Sequence, residues 1–199
     1  MTKKQQALDL IHKVGTLCSK DLGKYQISPK FLHELHAEGS IIRVGRGIYT
    51  LAEPEQVTEN YSFAIAAKRI PQGAICLLSA LQFHELTTQD PYQVWVAIPY
   101  GNRTPKEKLI PLRIFRFSKN TFTLGLEKYL VGGISIPVYN IPKTIVDLFK
   151  FRNKVGLDVA LEALKEGWRE RRFQMDDVWN YAKICRVSNV MQPYLEMLS

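Results

Sequence analysis

Two groups of residues in this sequence have types and spacings suited to chemistry. The first is basic and gathered around a short turn. In "IIRVGRGIYTLAE", Ile41 to Glu53, two apolar strands flank Gly45-Arg46-Gly47, with Arg43 on the first strand and Arg46 at the tip. Cations presented in this way can neutralise phosphates or donate to base edges. The second group is acidic. Asp147, Asp158 and Glu162, with Lys165, are the groups a metal-dependent nuclease would use. However, Glu162 and Lys165 lie three apart on an amphipathic segment, the ordinary spacing of a surface ion pair.

Other catalytic patterns are missing from the sequence. "YGNRTPKEK" has one glycine and no Gly-Lys-Ser/Thr, so it is not a phosphate loop. There is no Gly-x-Ser-x-Gly elbow, and Cys76 beside Leu77 and Leu78 reads as a buried thiol. The "HELH" run departs from the His-Glu-x-x-His zinc spacing, which leaves His33 and His36 as surface histidines. Three widely separated cysteines, Cys18, Cys76 and Cys185, suggest neither a disulfide framework nor a zinc site. These readings lead to an expectation of no catalysis, no metal and no cofactor.

The basic group needs elements to position it. From Lys3 to Val14, Ala7, Leu8, Leu10, Ile11 and Val14 recur at helical spacing. Ser19 is placed to cap a short second helix that breaks at "GKYQ". Ser28-Pro29 then opens a third helix, "SPKFLHELHAEG", which Gly39 closes. With Phe31, Leu32 and Leu35 facing inward, Lys30 and His33 point outward. The hairpin around Gly45-Arg46-Gly47 follows directly.

Three helices and a hairpin form the order of a winged helix-turn-helix, in which the third helix enters the major groove and the wing meets the adjacent backbone. The candidate DNA-binding residues are Lys24, Ser28, Lys30, His33, Arg43, Gly45, Arg46 and Gly47. Modules of this shape also dock proteins, and that alternative stays open. Residues 3–55 hold eight Lys and Arg against six acids, a net +2, so +6 of the total +8 lies outside the module.

The polar stretch "EPEQVTENYSF" marks a boundary near Glu53 to Glu59. It separates a winged domain, 1–55, from a larger α+β domain, 59–199, with a central β region and a helical C-terminal end. "NYSFAIAAKRI" reads as a helix and "PQGAICLLSALQFHEL" as a turn followed by a buried helix. "YQVWVAIP", "PLRIFRFS", "LEKYLVG" and "ISIPVYN" read as strands, with a hairpin turn at "VGGIS". Asn140 and Pro142 open a helix whose apolar face is Ile141, Ile145, Leu148 and Phe149. Three more helices follow, marked by Leu157 to Trp168, Val178 to Cys185, and Met191 to Leu198, the last capped by Ser188. Between Gly101 and Lys119, six cations face one acid, Glu107, in a solvated loop and strand edge with room for an added nucleic-acid surface. The start of the chain lacks a signal peptide's apolar run and no apolar run spans a bilayer, so the expected compartment is the cytoplasm.

"GRGIYTL", "GAICLLSALQFHELTTQDPYQVWVAIP", "PLRIFRFS", "VYNIPKTIVDLFKFRNKVGLDVALEALKEG" and "NVMQPYLEML" follow one another along nearly the whole chain. In this order the sequence resembles the AbiEi-type antitoxins of bacterial abortive-infection, or type IV toxin-antitoxin, systems. The resemblance implies a winged helix-turn-helix that represses the protein's own operon by binding inverted repeats upstream of it, often as two copies. It also implies a C-terminal domain that counters a nucleotidyltransferase toxin without forming a stable complex with it. Carried over by position, the reading helix falls on Ser28 to Glu38 and the wing on Ile41 to Leu51, with Arg43 and Arg46 at basic wing positions. The "HELH" face differs from the arginine or serine more usual in the family, so base preference does not transfer.

Overall fold

The computed structural model describes residues 2–14, 16–45, 47–52, 61–104, 110–131 and 134–198. Its contacts divide the chain into two compact units, Met1–Ile65 with Leu130–Ser135, and Ala66–Tyr129 with Ile136–Ser199. The chain is of mixed α and β structure, and its C-terminal end is helical. The expected linker, Glu53 to Glu59, and the glycine pair of the expected "VGGIS" turn lie outside the described residues.

In the first unit, α1 (Lys3–Val14) leads into β1 (Thr16–Cys18), a 3-10 turn (Asp21–Tyr25), α2 (Lys30–Ala37), β2 (Ile41–Gly45) and β3 (Ile48–Leu51). The strands form an antiparallel sheet in the order β1-β3-β2. Ala7 and Ile11 of α1, Leu22 of the turn, Leu32 and Leu35 of α2, and Leu17, Ile41 and Tyr49 of the sheet make one core. Two expectations change here. The second helix is a single 3-10 turn, because five residues containing Gly23 are too few to sustain an α-helix. Ser19 does not cap it: Lys20 holds that position, and the Ser19 N–H donates to the Gly47 carbonyl at 2.7 Å. The strand Thr16–Cys18, unforeseen from the sequence, extends the hairpin to a three-stranded sheet.

The remaining elements are α3 (Tyr61–Arg69), β4 (Ala74–Ile75), α4 (Leu77–Phe83), β5 (Val94–Pro99), β6 (Leu112–Phe117), α5 (Lys119–Phe122), β7 (Leu126–Val131), β8 (Ile134–Tyr139), α6 (Ile141–Lys150), α7 (Arg152–Val155), α8 (Leu157–Arg169), α9 (Met175–Cys185) and α10 (Ser188–Glu196). Five strands form a mixed sheet in the order β6-β5-β4-β8-β7, with β5 parallel to β6 and β4 parallel to β8. The second unit's core joins Trp95, Phe115, Phe117 and Tyr139 to the apolar faces of α4, α6, α8 and α9.

The Asn140 side chain accepts from the Lys143 N–H at 3.1 Å and so starts α6, as its position before Pro142 implies. That helix is buried on every face from Ile141 to Phe149, because α4, α8 and α9 all pack against it, and the one-sided apolar stripe read from the sequence understates this. At α10, Ser188 is the first helical residue and Val187 occupies the cap. Among the described residues, no helix is long and apolar enough to cross a membrane.

Candidate nucleic-acid interface

α2 is held at both ends by local chemistry. Pro29 sits at φ −55°, already helical, and Ser28 accepts the Phe31 N–H on its carbonyl at 3.2 Å. Its hydroxyl lies 3.4 Å from the Lys30 N–H, too long to cap the helix; Pro29, not Ser28, holds the cap position, and α2 begins one residue later than the sequence suggests. At the other end Gly39 takes φ +75°. The Gly39 N–H reaches the His36 carbonyl at 3.1 Å and the Ser40 N–H reaches the Leu35 carbonyl at 3.0 Å, the paired closure of a Schellman motif.

Leu32 and Leu35 anchor the helix in the core, which leaves Lys30 and His33 exposed on the opposite face. Lys30 also pairs with Glu34 at 3.6 Å across one helical turn. Such an exposed contact contributes little to stability. Lys4 of α1 pairs with Glu38 and ties the end of α2 to the first helix.

Tyr49 connects this helix to the hairpin. Its ring, 3% exposed, meets His33 and His36 edge-on, with centroids 6.4 and 6.1 Å away. His36 is fixed further by its Nδ1–H, which donates to the Ile41 carbonyl at 3.0 Å. Across the ladder Tyr49 stands opposite Arg43. Residues directly paired in antiparallel strands project from the same face of the sheet. The exposed Arg43 therefore leaves β2 on the face where Tyr49 meets α2, and Lys30, His33 and Arg43 share one side of the unit.

Gly47 takes φ +73°, and a Cβ there would lie 2.5 Å from the Ser19 hydroxyl, so the turn requires glycine on both counts. Gly45 pairs with Ile48, and the register shifts between Arg43 and Gly45, leaving one extra residue in β2. Bulges of this kind twist a hairpin and re-aim its tip. Lys24 and Ser28 are exposed on the segment leading into α2, and Arg46 lies outside the described residues. Sequence reasoning missed Tyr49 and Ser19. The only available signal was an aromatic residue facing an arginine across a predicted hairpin.

The acids of the nuclease alternative are not gathered into one site. Asp147 lies in the core, paired with Lys143, whereas Asp158, Glu162 and Lys165 are exposed on α8. Among the described residues, no group of three or more His, Cys, Asp or Glu could hold a metal ion.

A recognition helix buttressed by a three-stranded sheet with a basic hairpin defines the winged helix-turn-helix class. Residues 5–52 match the family described as "Transcriptional regulator, AbiEi antitoxin". No curated protein matches the sequence. Among solved structures, the RV2827C protein from Mycobacterium tuberculosis matches with a TM-score of 0.65 over 100% of this chain and 80% of that one. With 11% of positions identical, that likeness concerns the fold alone. Over residues 5–52 the module is thus similar to the transcriptional regulators of the AbiEi antitoxin type.

Proposed function

We propose that this chain is a cytoplasmic, non-catalytic repressor that binds duplex DNA upstream of its own operon. The winged domain, residues 1–55, makes the contact, with Lys30 and His33 of α2 meeting base edges or phosphates. Arg43 and Arg46 follow the adjacent backbone, Ser28 donates to phosphate, Lys24 flanks the helix, and Gly45 and Gly47 shape the tip. Residues 59–199 counter a nucleotidyltransferase toxin without a stable complex. One observation carries the reading: the family match at 5–52 covers the module whose exposed face gathers Lys30, His33 and Arg43.

The test is a fluorescence-anisotropy titration with the duplex immediately upstream of the gene against a scrambled duplex, over a range of salt. Preference by about a thousandfold, within the span usual for specific regulators, is the expected result. Replacing both Arg43 and Arg46 by alanine should flatten the log-log salt slope by roughly two phosphate contacts. Equal binding to both duplexes, or an unchanged slope in the double variant, would overturn the assignment and favour a docking role.

A further inference from the structure

The excess positive charge of the chain lies mostly outside the winged module, and one part of it is built into a defined surface. Strands β5 and β6 run parallel at the edge of the five-stranded sheet, with Pro99 opposite Phe117, so their carboxyl ends emerge side by side. Tyr100 follows β5 at once. Its N–H is fixed to the Phe117 carbonyl at 2.8 Å, while 66% of the residue stays exposed.

The loop beyond it is held from below. Arg116 of β6 donates to the Asn102 carbonyl at 2.7 Å and to the Thr104 hydroxyl at 2.9 Å. This leaves Arg103 exposed on the loop, with Lys119 and Asn120 exposed at the start of α5, just after β6. From residue 91 to residue 126 the sequence contains one acid, Glu107, against six cations. The next acid, Glu127, is engaged by the Tyr129 hydroxyl and the Asn140 amide.

We propose that this end of the sheet, centred on Tyr100, Arg103 and Lys119, binds single-stranded nucleic acid. Phosphate contact alone would need only the cations. An exposed aromatic residue whose backbone is anchored among them adds a ring face on which an unpaired base can stack, the combination that single-strand binders use. In a duplex the bases are already stacked and give the ring no partner. Tyr100, Arg103 and Lys119 belong to the second unit, and the proposal holds or fails independently of the wing's role.

The full chain carrying Lys30→Ala, Arg43→Ala and Arg46→Ala, which removes the cations proposed for the wing, is titrated by anisotropy with a 12-mer of thymidylate, a 12-mer of uridylate and a 12-base-pair duplex. Either single strand should bind tighter than the duplex, and a preference between the two would identify DNA or RNA as the source. Adding Tyr100→Ala should weaken single-strand binding by roughly tenfold, as loss of one stacked base does, and Tyr100→Phe should restore it. Arg103→Glu with Lys119→Glu should lower both affinity and salt slope. Duplex binding as tight as single-strand binding, or equal affinity of the Tyr100→Ala and Tyr100→Phe chains, would overturn the proposal. Circular dichroism is to check that each variant is folded, as expected for exposed positions.

Discussion

The two units each contain a lysine followed four residues later by an acid on a helix, and the two pairs behave in opposite ways. Lys30 and Glu34 of α2 have side chains 78% and 38% exposed. Lys143 and Asp147 of α6 are 0% and 1% exposed, in contact, with the lysine Nζ 4.8 Å from the Phe117 ring centre and 4.5 Å from that of Tyr139. The surface pair exchanges water for a weak contact. The buried pair has given up water altogether, so each ion depends on the other and on the rings around it. Asp147 also keeps one oxygen without a hydrogen-bond partner among the described residues, which deepens its dependence on the lysine. Burial pulls its carboxyl upward, against the Lys143 ammonium that favours the charged form. Identical sequence spacing thus encodes a contact of little weight in one unit and, in the other, a pair neither member of which can be removed alone.

The sharpest way to test this contrast is Lys143→Met. It should cost about 3–5 kcal/mol in denaturant unfolding by leaving the Asp147 charge buried alone. Lys143→Met with Asp147→Leu should recover most of the loss, and a double variant as unstable as the single one would break the account.

Next comes Gly47→Val in the winged unit, expected to cost about 1–3 kcal/mol because valine is strained at φ +73° and its Cβ meets Ser19. Upstream-duplex affinity should fall with it, and full retention of stability would show that the tip rearranges freely.

A smaller effect distinguishes the second unit by pH. Burial lowers the His84 imidazole below its ordinary 6.5, while its Nε2–H donates to the Tyr139 carbonyl at 2.8 Å. The folded chain therefore binds fewer protons than the unfolded one between the lowered value and 6.5. Stability rises with pH through that window and falls as the solution is acidified below 6.5, by less than about 1.4 kcal/mol per pH unit. His84→Gln should remove this component of the acid slope, and an unchanged slope would assign it elsewhere.

The smallest stability change should come from Glu34→Gln, about 0.2–0.5 kcal/mol. Duplex affinity should nevertheless rise a few-fold, because an acid is removed from beside the phosphate path. A fall in affinity would show that Glu34 itself contacts a base.

Much of this contrast was hidden in the sequence for physical reasons. α2 was legible because Ser28-Pro29 and Gly39 act within a few residues of themselves, and α6 because Asn140 and Pro142 do the same. The strands β1 and β4, three and two residues long, carry too few side chains for a period of two to show. Lys143 and Asp147 look in sequence like the polar face of an ordinary helix, and only the packing of α4, α8 and α9 around α6 makes them interior. The roles of Tyr49 and Ser19 depend on partners many residues away, which no local pattern records. The exposed positions of Lys30 and His33 were foreseeable from periodicity, but that of Arg43, on the same strand face as the buried Ile41, and the arrangement around Tyr49 were not.

Tyr49 also has a mechanical consequence. By touching both histidines of α2 while standing across from Arg43, it couples that helix to the hairpin. If the proposed function holds, a duplex meeting this face would meet a template of fixed span, and the groove would have to widen, narrow or bend to fit it. Sequences that reach that shape cheaply gain an advantage at base pairs no side chain touches. Part of the address would then be written in the stiffness of the DNA.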